Sequence, residues 1–369
     1  ESFHSRFRDE CLGREMFLNL REARVVISDW RLHYNQERPL GDYRIMKFSR
    51  LNSLAGGRHR GIIIEGINLK KCSPEVIRFV GRLCAIYLVV VIKNTAISKE
   101  RFYHICQTIG QVHGMPSQKK VNVNLESCDD ETIDEYFYKR GGTDHLPGLQ
   151  RITGMKDKNG KYTGFFGNGE LSWHANQSGA LNPVPCVGLH GAKNTFGSIT
   201  EFCEMVTSWE DLSMDWQNRL RPLKVIHRYK PQAIAPGLND VQDQQIKINM
   251  VPNENQVLPL VTRAPGGQEG LHFSFNTIES IEGCSKHESC KIIDFLKDHC
   301  IQNKYIYQHH WEDGDICFMD QILTLHRRPT KDVSTRLIHR VAFGYNEVLP
   351  NQPDYSLKGA RGLDHKLTI

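Results

Sequence analysis

The chain has 369 residues, of which 39% are hydrophobic, and this is enough for one large core or two smaller ones. Its 47 lysines and arginines against 42 aspartates and glutamates give a formal net charge of +5, too small to indicate nucleic-acid binding by itself. No apolar run has the length needed to cross a bilayer and no secretory signal is present, so we expect a cytoplasmic protein without a membrane anchor. The 11 cysteines form no CxxC pair, which disfavours a zinc ribbon or a thioredoxin-type motif.

The N-terminal residues differ in character from the rest of the chain. Several apolar residues there recur at helical spacing: Phe17, Leu20, Ala23, Val26, Ile27 and Trp30. We predict a short helical appendage over residues 1–42, followed by a basic, glycine-containing linker over residues 43–60. A phosphate-binding loop in this linker is the alternative.

Residue 61 begins a segment with alternating strand and helix patterns. Gly61–Ile67 is typical of a buried strand. Ser73 can cap a helix that has Pro74 at its first position. Four apolar residues recur at helical spacing after this cap: Val76, Ile77, Val80 and Leu83. The pattern therefore predicts a helix that buries one face.

Further elements follow in the same segment. Tyr87–Ile92 is a continuous apolar run of strand length. Ser98 can cap a second helix, which we expect to end at Gly110. A third amphipathic helix is predicted over residues 287–299.

The remaining sequence favours β structure. Short stretches rich in Val, Ile, Tyr and Phe alternate with Gly, Pro, Asn and Asp clusters, as in sheet sandwiches and jelly rolls. We therefore predict a mostly-β fold with peripheral helices, in which a double-stranded β-helix (jelly roll) core occupies residues 61–349. Residues 350–369 are predicted to form a C-terminal tail, and residues 229–270 long loops over the barrel mouth where substrate choice lies. At the edge of the site, residues 258–263 and 271–274 are predicted to form a hairpin.

Two histidines are the strongest functional candidates. His174 lies in the string Trp-His-Ala-Asn, and His326 follows the run Asp320–Leu325. Imidazole suits iron, and two histidines with one carboxylate leave metal positions open for a bidentate cosubstrate and oxygen. Asn176 stands where a His-X-Asp pair would supply that carboxylate. Taken alone, two histidines fit a surface or core role as well.

Two arginines follow the second histidine. Arg336 lies ten residues beyond His326, and Arg340 lies in a stretch that is typical of a strand entering a core. A guanidinium binds a carboxylate through two parallel hydrogen bonds, so Arg336 can anchor the far carboxylate of 2-oxoglutarate. The alternative interpretation makes both arginines ordinary surface charges.

With these motifs, and with the string Trp311–Asp320 before the second histidine, the chain resembles the taurine dioxygenase-like family of Fe(II)- and 2-oxoglutarate-dependent oxygenases from about residue 61 to 346. The resemblance implies the jelly-roll fold and the cofactors Fe(II) and 2-oxoglutarate. It also implies these roles: His174 and His326 as iron ligands, Asn176 at the carboxylate position, Arg336 as the 2-oxoglutarate anchor, Thr195 as a second contact with 2-oxoglutarate, and Arg340 as a partner of the substrate or of Arg336.

The resemblance implies an enzyme that uses O2 to hydroxylate a small polar metabolite, such as one resembling an amino acid, with release of succinate and CO2. Asn176 opens a second hypothesis. Replacing a carboxylate by an amide leaves one more positive charge on the iron site, so iron affinity falls, and a bound chloride would restore the balance. The alternative is therefore a halogenase of the same family. A protein that has lost iron and only binds ligands is a third hypothesis.

The first 40 or so residues resemble the end of an insertion-sequence transposase of the DDE integrase class, in which Glu1 matches the third catalytic carboxylate. Two-metal phosphoryl transfer needs several acidic ligands, and a lone glutamate cannot supply them. We therefore interpret this part as a non-catalytic remnant, with an accessory segment docked on the oxygenase as the alternative. A DNA-associated, non-catalytic protein is the corresponding functional alternative, although we do not expect nucleic acid as a partner. It predicts salt-dependent DNA binding that is lost when residues 1–40 are deleted.

Overall fold

The structure is a computed structural model. It describes these residues: 46–113, 146, 148–160, 163–164, 166, 170–179, 183–228, 256–329 and 335–353. The predicted helical appendage at residues 1–42 lies outside them, as does most of the predicted tail, from residue 354 onwards.

Strands dominate the described part of the chain. The strands are β1 (Lys47–Asn52), β2 (Arg58–Glu65), β3 (Val89–Ile92), β4 (Gln150–Ile152), β5 (Leu171–His174), β6 (Cys186–Lys193), β7 (Ile199–Glu204), β8 (Lys224–His227), β9 (Gln256–Pro259), β10 (Val261–Arg263), β11 (Glu269–Leu271), β12 (Ile278–Ile281), β13 (Ile306–His310), β14 (Ile316–Asp320), β15 (Thr324–Arg328) and β16 (Leu337–Phe343). The helices are α1 (Pro74–Tyr87), α2 (Lys99–Ile109), α3 (Met205–Glu210), α4 (Met214–Leu220) and α5 (Lys286–Cys300). A short 3-10 helix covers Asn303–Tyr305.

Two facing sheets form the core. The major sheet has seven strands in the order β1-β2-β3-β14-β6-β16-β4, and the minor sheet has four in the order β13-β7-β15-β5. An apolar cluster between them joins Phe202 and Trp311 to Val187, Leu189 and Met319. The predicted mostly-β fold with peripheral helices is therefore confirmed. Two smaller sheets, β12-β8-β9 and β10-β11, extend the minor-sheet side.

Helices α1 and α2 confirm two of the predicted helices. Ser73 Oγ accepts a hydrogen bond from Val76 N at 3.4 Å, and Ser98 caps α2 in the same way. Both helices bury their apolar sides against the outer face of the major sheet. Gly110 ends α2 for a reason other than a left-handed turn, because its φ of 177° is extended. A Cβ atom there would lie 2.1 Å from Gly344 O, so close packing requires the glycine.

A second apolar cluster covers the outer face of the minor sheet. It joins Trp173 and Leu325 of that sheet to Trp209 of α3 and Leu296 of α5. The third predicted helix is confirmed as α5, which begins with a reciprocal capping box between Ser285 and Glu288. Within the described residues, no helix combines the length and apolar character needed to span a membrane.

The predicted linker contains strands instead. Residues 47–52 and 58–60 lie inside the predicted linker but form β1 and the start of β2, an antiparallel pair at the edge of the major sheet. Leu51 is fully buried there, so its packing outweighs the basic composition of the segment. Of the predicted loops over residues 229–270, residues 229–255 lie outside the described part. The remainder contains β9 and the β10-β11 hairpin, which pairs residues 261–263 with residues 269–271, close to the predicted hairpin.

Candidate active site

His174 and His326 lie side by side in the minor sheet. His174 ends β5, the edge strand, and His326 is the middle residue of β15. The two residues are directly opposite each other in the antiparallel ladder, so their side chains share one face. Their ring centroids are 4.1 Å apart with an interplanar angle of 46°. Strand register thus brings the two predicted ligands within reach of a single ion.

A backbone contact fixes the His174 ring. Its Nδ1 lies 2.7 Å from the carbonyl oxygen of Ser172. A carbonyl can only accept a hydrogen bond, so Nδ1 carries the proton and Nε2 keeps its lone pair. This is the usual way in which a protein orients a metal-binding imidazole.

The surroundings of His326 keep it neutral. Burial, the neighbouring His174 and the positive charge of Arg340 hold the pKa of His326 well below its ordinary value. A neutral imidazole is the form that binds metal ions, so His326 is in the state that a metal needs at neutral pH.

Gln321 holds Asn176 through two hydrogen bonds. The backbone N and the side-chain Nδ2 of Asn176 donate to Oε1 of Gln321, at 2.9 and 2.8 Å. The described residues contain no group of three or more His, Cys, Asp or Glu side chains suited to a metal. Two imidazoles and an amide oxygen are donors that divalent iron accepts. The residues therefore fit iron, with one negative charge fewer than a set that contains a carboxylate.

Arg336 and Thr195 lie near each other on the major sheet. Arg336 is buried directly before β16, whose first residue, Leu337, pairs with Lys193 at the end of β6. Nδ2 of Asn194 donates to the carbonyl oxygen of Thr335 at 3.3 Å, which links the same two segments. This register brings the predicted anchor Arg336 beside the turn that carries Thr195.

The Thr195 hydroxyl already has an acceptor. Its Oγ1 and its backbone N both donate to Oδ1 of Asp313, at 2.7 and 2.8 Å. A bound carboxylate would therefore compete with Asp313 for the hydroxyl proton. The contact between Thr195 and 2-oxoglutarate stays a prediction.

Arg340 lies on the side of the major sheet that faces the histidines. It lies on the same face of β16 as Ile338 and Ala342, which belong to the cluster between the two sheets. Its Nη1 donates to Oε1 of Gln150 at 2.7 Å. Because its charge lowers the pKa of His326, Arg340 is a neighbour of the candidate metal site.

Sequence reasoning missed residues that hold the site together. Gln321 contacts Asn176 across 145 residues of sequence, and Ser274 Oγ accepts a hydrogen bond from Ala175 N at 2.9 Å. Asp313 holds Thr195. The sequence places Gln321 in the run before His326, but residue spacing alone does not show that Gln321 contacts Asn176.

Residues 55–342 match the family described as taurine catabolism dioxygenase TauD, TfdA family, and the chain belongs to this family. Residues 1–40 match a second family, the integrase core domain. Both resemblances noted in the sequence are thereby confirmed.

Curated relatives cover separate parts of the chain. Over 141 residues it is 30% identical to the alpha-ketoglutarate-dependent 2,4-dichlorophenoxyacetate dioxygenase of Cupriavidus pinatubonensis, which covers 38% of this chain and 47% of that protein. The chain thus spans about half the length of this relative. At the N-terminal end it is 62% identical over 39 residues to an uncharacterized 39.2 kDa protein of insertion element IS476 from Xanthomonas euvesicatoria, 11% of each chain.

Solved structures share the fold. A taurine dioxygenase from Burkholderia xenovorans has a TM-score of 0.57 at 19% identity, over 81% of this chain and 89% of that one. The structure of AAD-2 in complex with Mn(II) and N-oxalylglycine has a TM-score of 0.56 at 18% identity, over 81% of this chain and 96% of that one. At these identities the likeness concerns the fold alone.

Proposed function

We propose that the protein is an Fe(II)- and 2-oxoglutarate-dependent oxygenase that hydroxylates a small polar molecule with O2 and releases succinate and CO2. The observation that carries this proposal is the pairing of His174 with His326, which places both imidazoles on one face of the minor sheet, with the ring of His174 oriented by the Ser172 carbonyl. Membership of the family supports it. The structure of AAD-2, which shares the fold and is in complex with Mn(II) and the diacid N-oxalylglycine, also supports it.

Different residues of the chain have different roles in the proposed reaction. Iron bound by His174 and His326 would supply the oxygen chemistry, coupled to the loss of CO2 from 2-oxoglutarate. Arg336 binds the far carboxylate of 2-oxoglutarate, and its burial strengthens this charge-assisted contact. Arg340 adds positive charge near His326, which favours an anionic group of the cosubstrate or the substrate.

Hydroxylation is favoured over halogenation by the contact between Asn176 and Gln321. A halide needs the space that a small residue at position 176 would leave. Two hydrogen bonds to Gln321 hold the Asn176 segment and its amide in place, so the amide does not readily swing aside to make that space. Halogenation with chloride remains the second candidate, because the site lacks the negative charge of a carboxylate.

The first test uses protein prepared without oxygen. Adding Fe(II) and 2-oxoglutarate to the wild type is expected to produce the weak visible charge-transfer band of the chelate, and H326A is expected to lack it. R336A should require about 10- to 100-fold more 2-oxoglutarate for the same band, because a charged hydrogen bond is lost. R263A is the matched control, since Arg263 is exposed and contacts Glu269 at 3.4 Å. No band in the wild type at saturating iron would refute the proposal.

The second test separates the two reactions. Candidate substrates are screened for substrate-dependent succinate formation, and product masses are compared with and without chloride. A gain of one oxygen under both conditions supports hydroxylation. A chlorine-containing product that appears only with chloride would establish the halogenase instead.

A further inference from the structure

We infer that Gln321 is a positioning residue that selects an amide rather than a carboxylate at position 176 and leaves Oδ1 of Asn176 available to the metal. This inference rests on the proposed function, because it concerns the third protein donor of the same site. It depends on the contact between two side chains that are 145 residues apart in sequence.

The orientation of the Gln321 amide is set by the backbone. The atom of Gln321 that faces residue 176 lies 2.9 Å from the backbone N of Asn176. A backbone N–H can only donate, so that atom must be the acceptor Oε1. The usual ambiguity between the oxygen and nitrogen of a glutamine side chain is thereby removed.

The orientation of the Asn176 amide follows from that of Gln321. The atom of Asn176 that lies 2.8 Å from Oε1 must be a donor, and is therefore Nδ2. Oδ1 is the other terminal atom of the same amide. It accepts no hydrogen bond within the part of the chain that the structure describes, so it remains available to a ligand.

Gln321 cannot easily move away from this contact. Its side chain is 1% exposed, and its backbone N donates to the carbonyl oxygen of Pro185 at 2.8 Å. On the other side, Ser274 holds the backbone N of Ala175, the residue before Asn176. Both partners of the contact are therefore anchored through their backbones.

A carboxylate at position 176 would be mispaired in either orientation of Gln321. With Oε1 in place, two oxygens without a proton between them would face each other at about the present 2.8 Å. If the Gln321 amide turned over, its Nε2 would face the backbone N–H of residue 176, and two donors would then meet. Either arrangement leaves a buried polar group without its partner, which is costly.

Metal-free protein tests the selection directly. N176D, Q321M and N176D/Q321M are compared with the wild type by urea unfolding in the presence of EDTA. Methionine is similar in size to glutamine but lacks the strong acceptor. We expect N176D to raise the unfolding equilibrium constant by about 10-fold in the wild-type background and by less than about 2-fold in the Q321M background.

Equal effects of N176D in the two backgrounds would overturn the inference. Should N176D alone fail to fold, folding of N176D/Q321M would be the same coupling in another form. If N176D and N176D/Q321M both fail to fold while Q321M folds, the inference is contradicted.

Mn(II) titration, followed by the electron paramagnetic resonance of free Mn(II), tests the metal role. A carboxylate adds a negative charge to the donor set, so N176D in the Q321M background should tighten Mn(II) binding by about 10-fold or more. In the wild-type background the gain should be about 10-fold smaller, because Gln321 opposes the carboxylate. N52D, an exposed Asn-to-Asp change on β1, is the control and should leave binding unchanged.

If N176D tightened Mn(II) binding equally in both backgrounds, the part of the inference that concerns the metal would be overturned. If the wild type and every variant fail to bind Mn(II), the proposed function is refuted, together with the metal role of Oδ1. The unfolding comparison still decides whether Gln321 selects the amide, so the two failures are distinguishable.

Discussion

The protein contains two buried histidine pairs that strand register creates in the same way. His174 and His326 are opposite each other across β5 and β15, and His190 and His339 are opposite each other across β6 and β16. The ring centroids are 4.1 Å apart in the first pair and 5.8 Å apart in the second. All four side chains are buried. Opposed, buried histidines are therefore not peculiar to the candidate metal site.

The difference lies in what surrounds each pair. His174 ends an edge strand, is oriented by a carbonyl group, and is followed two residues later by the amide of Asn176. His190 lies in the middle of the major sheet, 5.3 Å between ring centroids from Phe102 of α2. Nδ1 of His190 and of His339 has no hydrogen-bond partner among the described residues. The first pair has polar neighbours that fit the candidate metal site, and the second is packed as core.

The largest expected difference between the pairs is in metal affinity. H174A or H326A should weaken Mn(II) binding by more than about 100-fold, because each removes one of two imidazole donors. H190A or H339A should change it by less than about 2-fold. Isothermal titration calorimetry of the four variants measures this contrast. A loss of similar size in H339A would mean that the second pair also contributes to the site, and the comparison would fail.

The second pair should instead appear in the pH dependence of stability. Burial lowers the pKa of both His190 and His339 from 6.5 to about 4, and the positive charges of Arg151 and Lys99 add to the effect at His339. The unfolded chain therefore takes up protons first as the pH falls. Each histidine then costs stability from about pH 6.5 downwards, by up to about 1.4 kcal/mol per pH unit, until the pH reaches about 4.

The double variant H190L/H339L removes both titrating groups and should flatten the fall in stability between pH 7 and pH 5. Urea unfolding at several pH values measures the slope. H310L is a suitable control, because His310 is exposed on β13. An unchanged slope in H190L/H339L would show that these histidines accept protons in the folded state as readily as in the unfolded state.

How far the sequence predicts this molecule depends on the range of the interactions involved. Helix α1 is predictable, because Ser73, Pro74 and the apolar stripe are local signals. The pairing of His174 with His326 is anticipated only through the family motif, since the ladder joins residues far apart in sequence. β1 is missed because its basic composition hides a strand that depends on pairing with β2 and on the burial of Leu51.

The same limit explains the missed residues of the site. The contact of Asn176 with Gln321 and that of Ala175 with Ser274 span 145 and 99 residues of sequence. No local sequence pattern indicates a contact between residues so far apart in the chain. Gln321 also belongs to an otherwise ordinary run of residues, so only the folded arrangement shows that its Oε1 is committed to residue 176.

The smallest expected effect concerns the support of the edge strand. His174 ends β5, which has a strand neighbour on one side only among the described residues, and Ser274 supplies the acceptor for Ala175 N beyond the strand. S274A leaves this N–H without its acceptor and loosens the segment that carries His174 and Asn176. We expect Mn(II) binding to weaken by about 3- to 10-fold, as for the loss of one hydrogen bond. S280A, a change at a half-buried serine in β12, is the control for calorimetric titration. If S274A and S280A bind Mn(II) equally well, the edge strand holds His174 in place without Ser274, and the supports that distinguish the two pairs reduce to the Ser172 carbonyl and the Asn176–Gln321 contact.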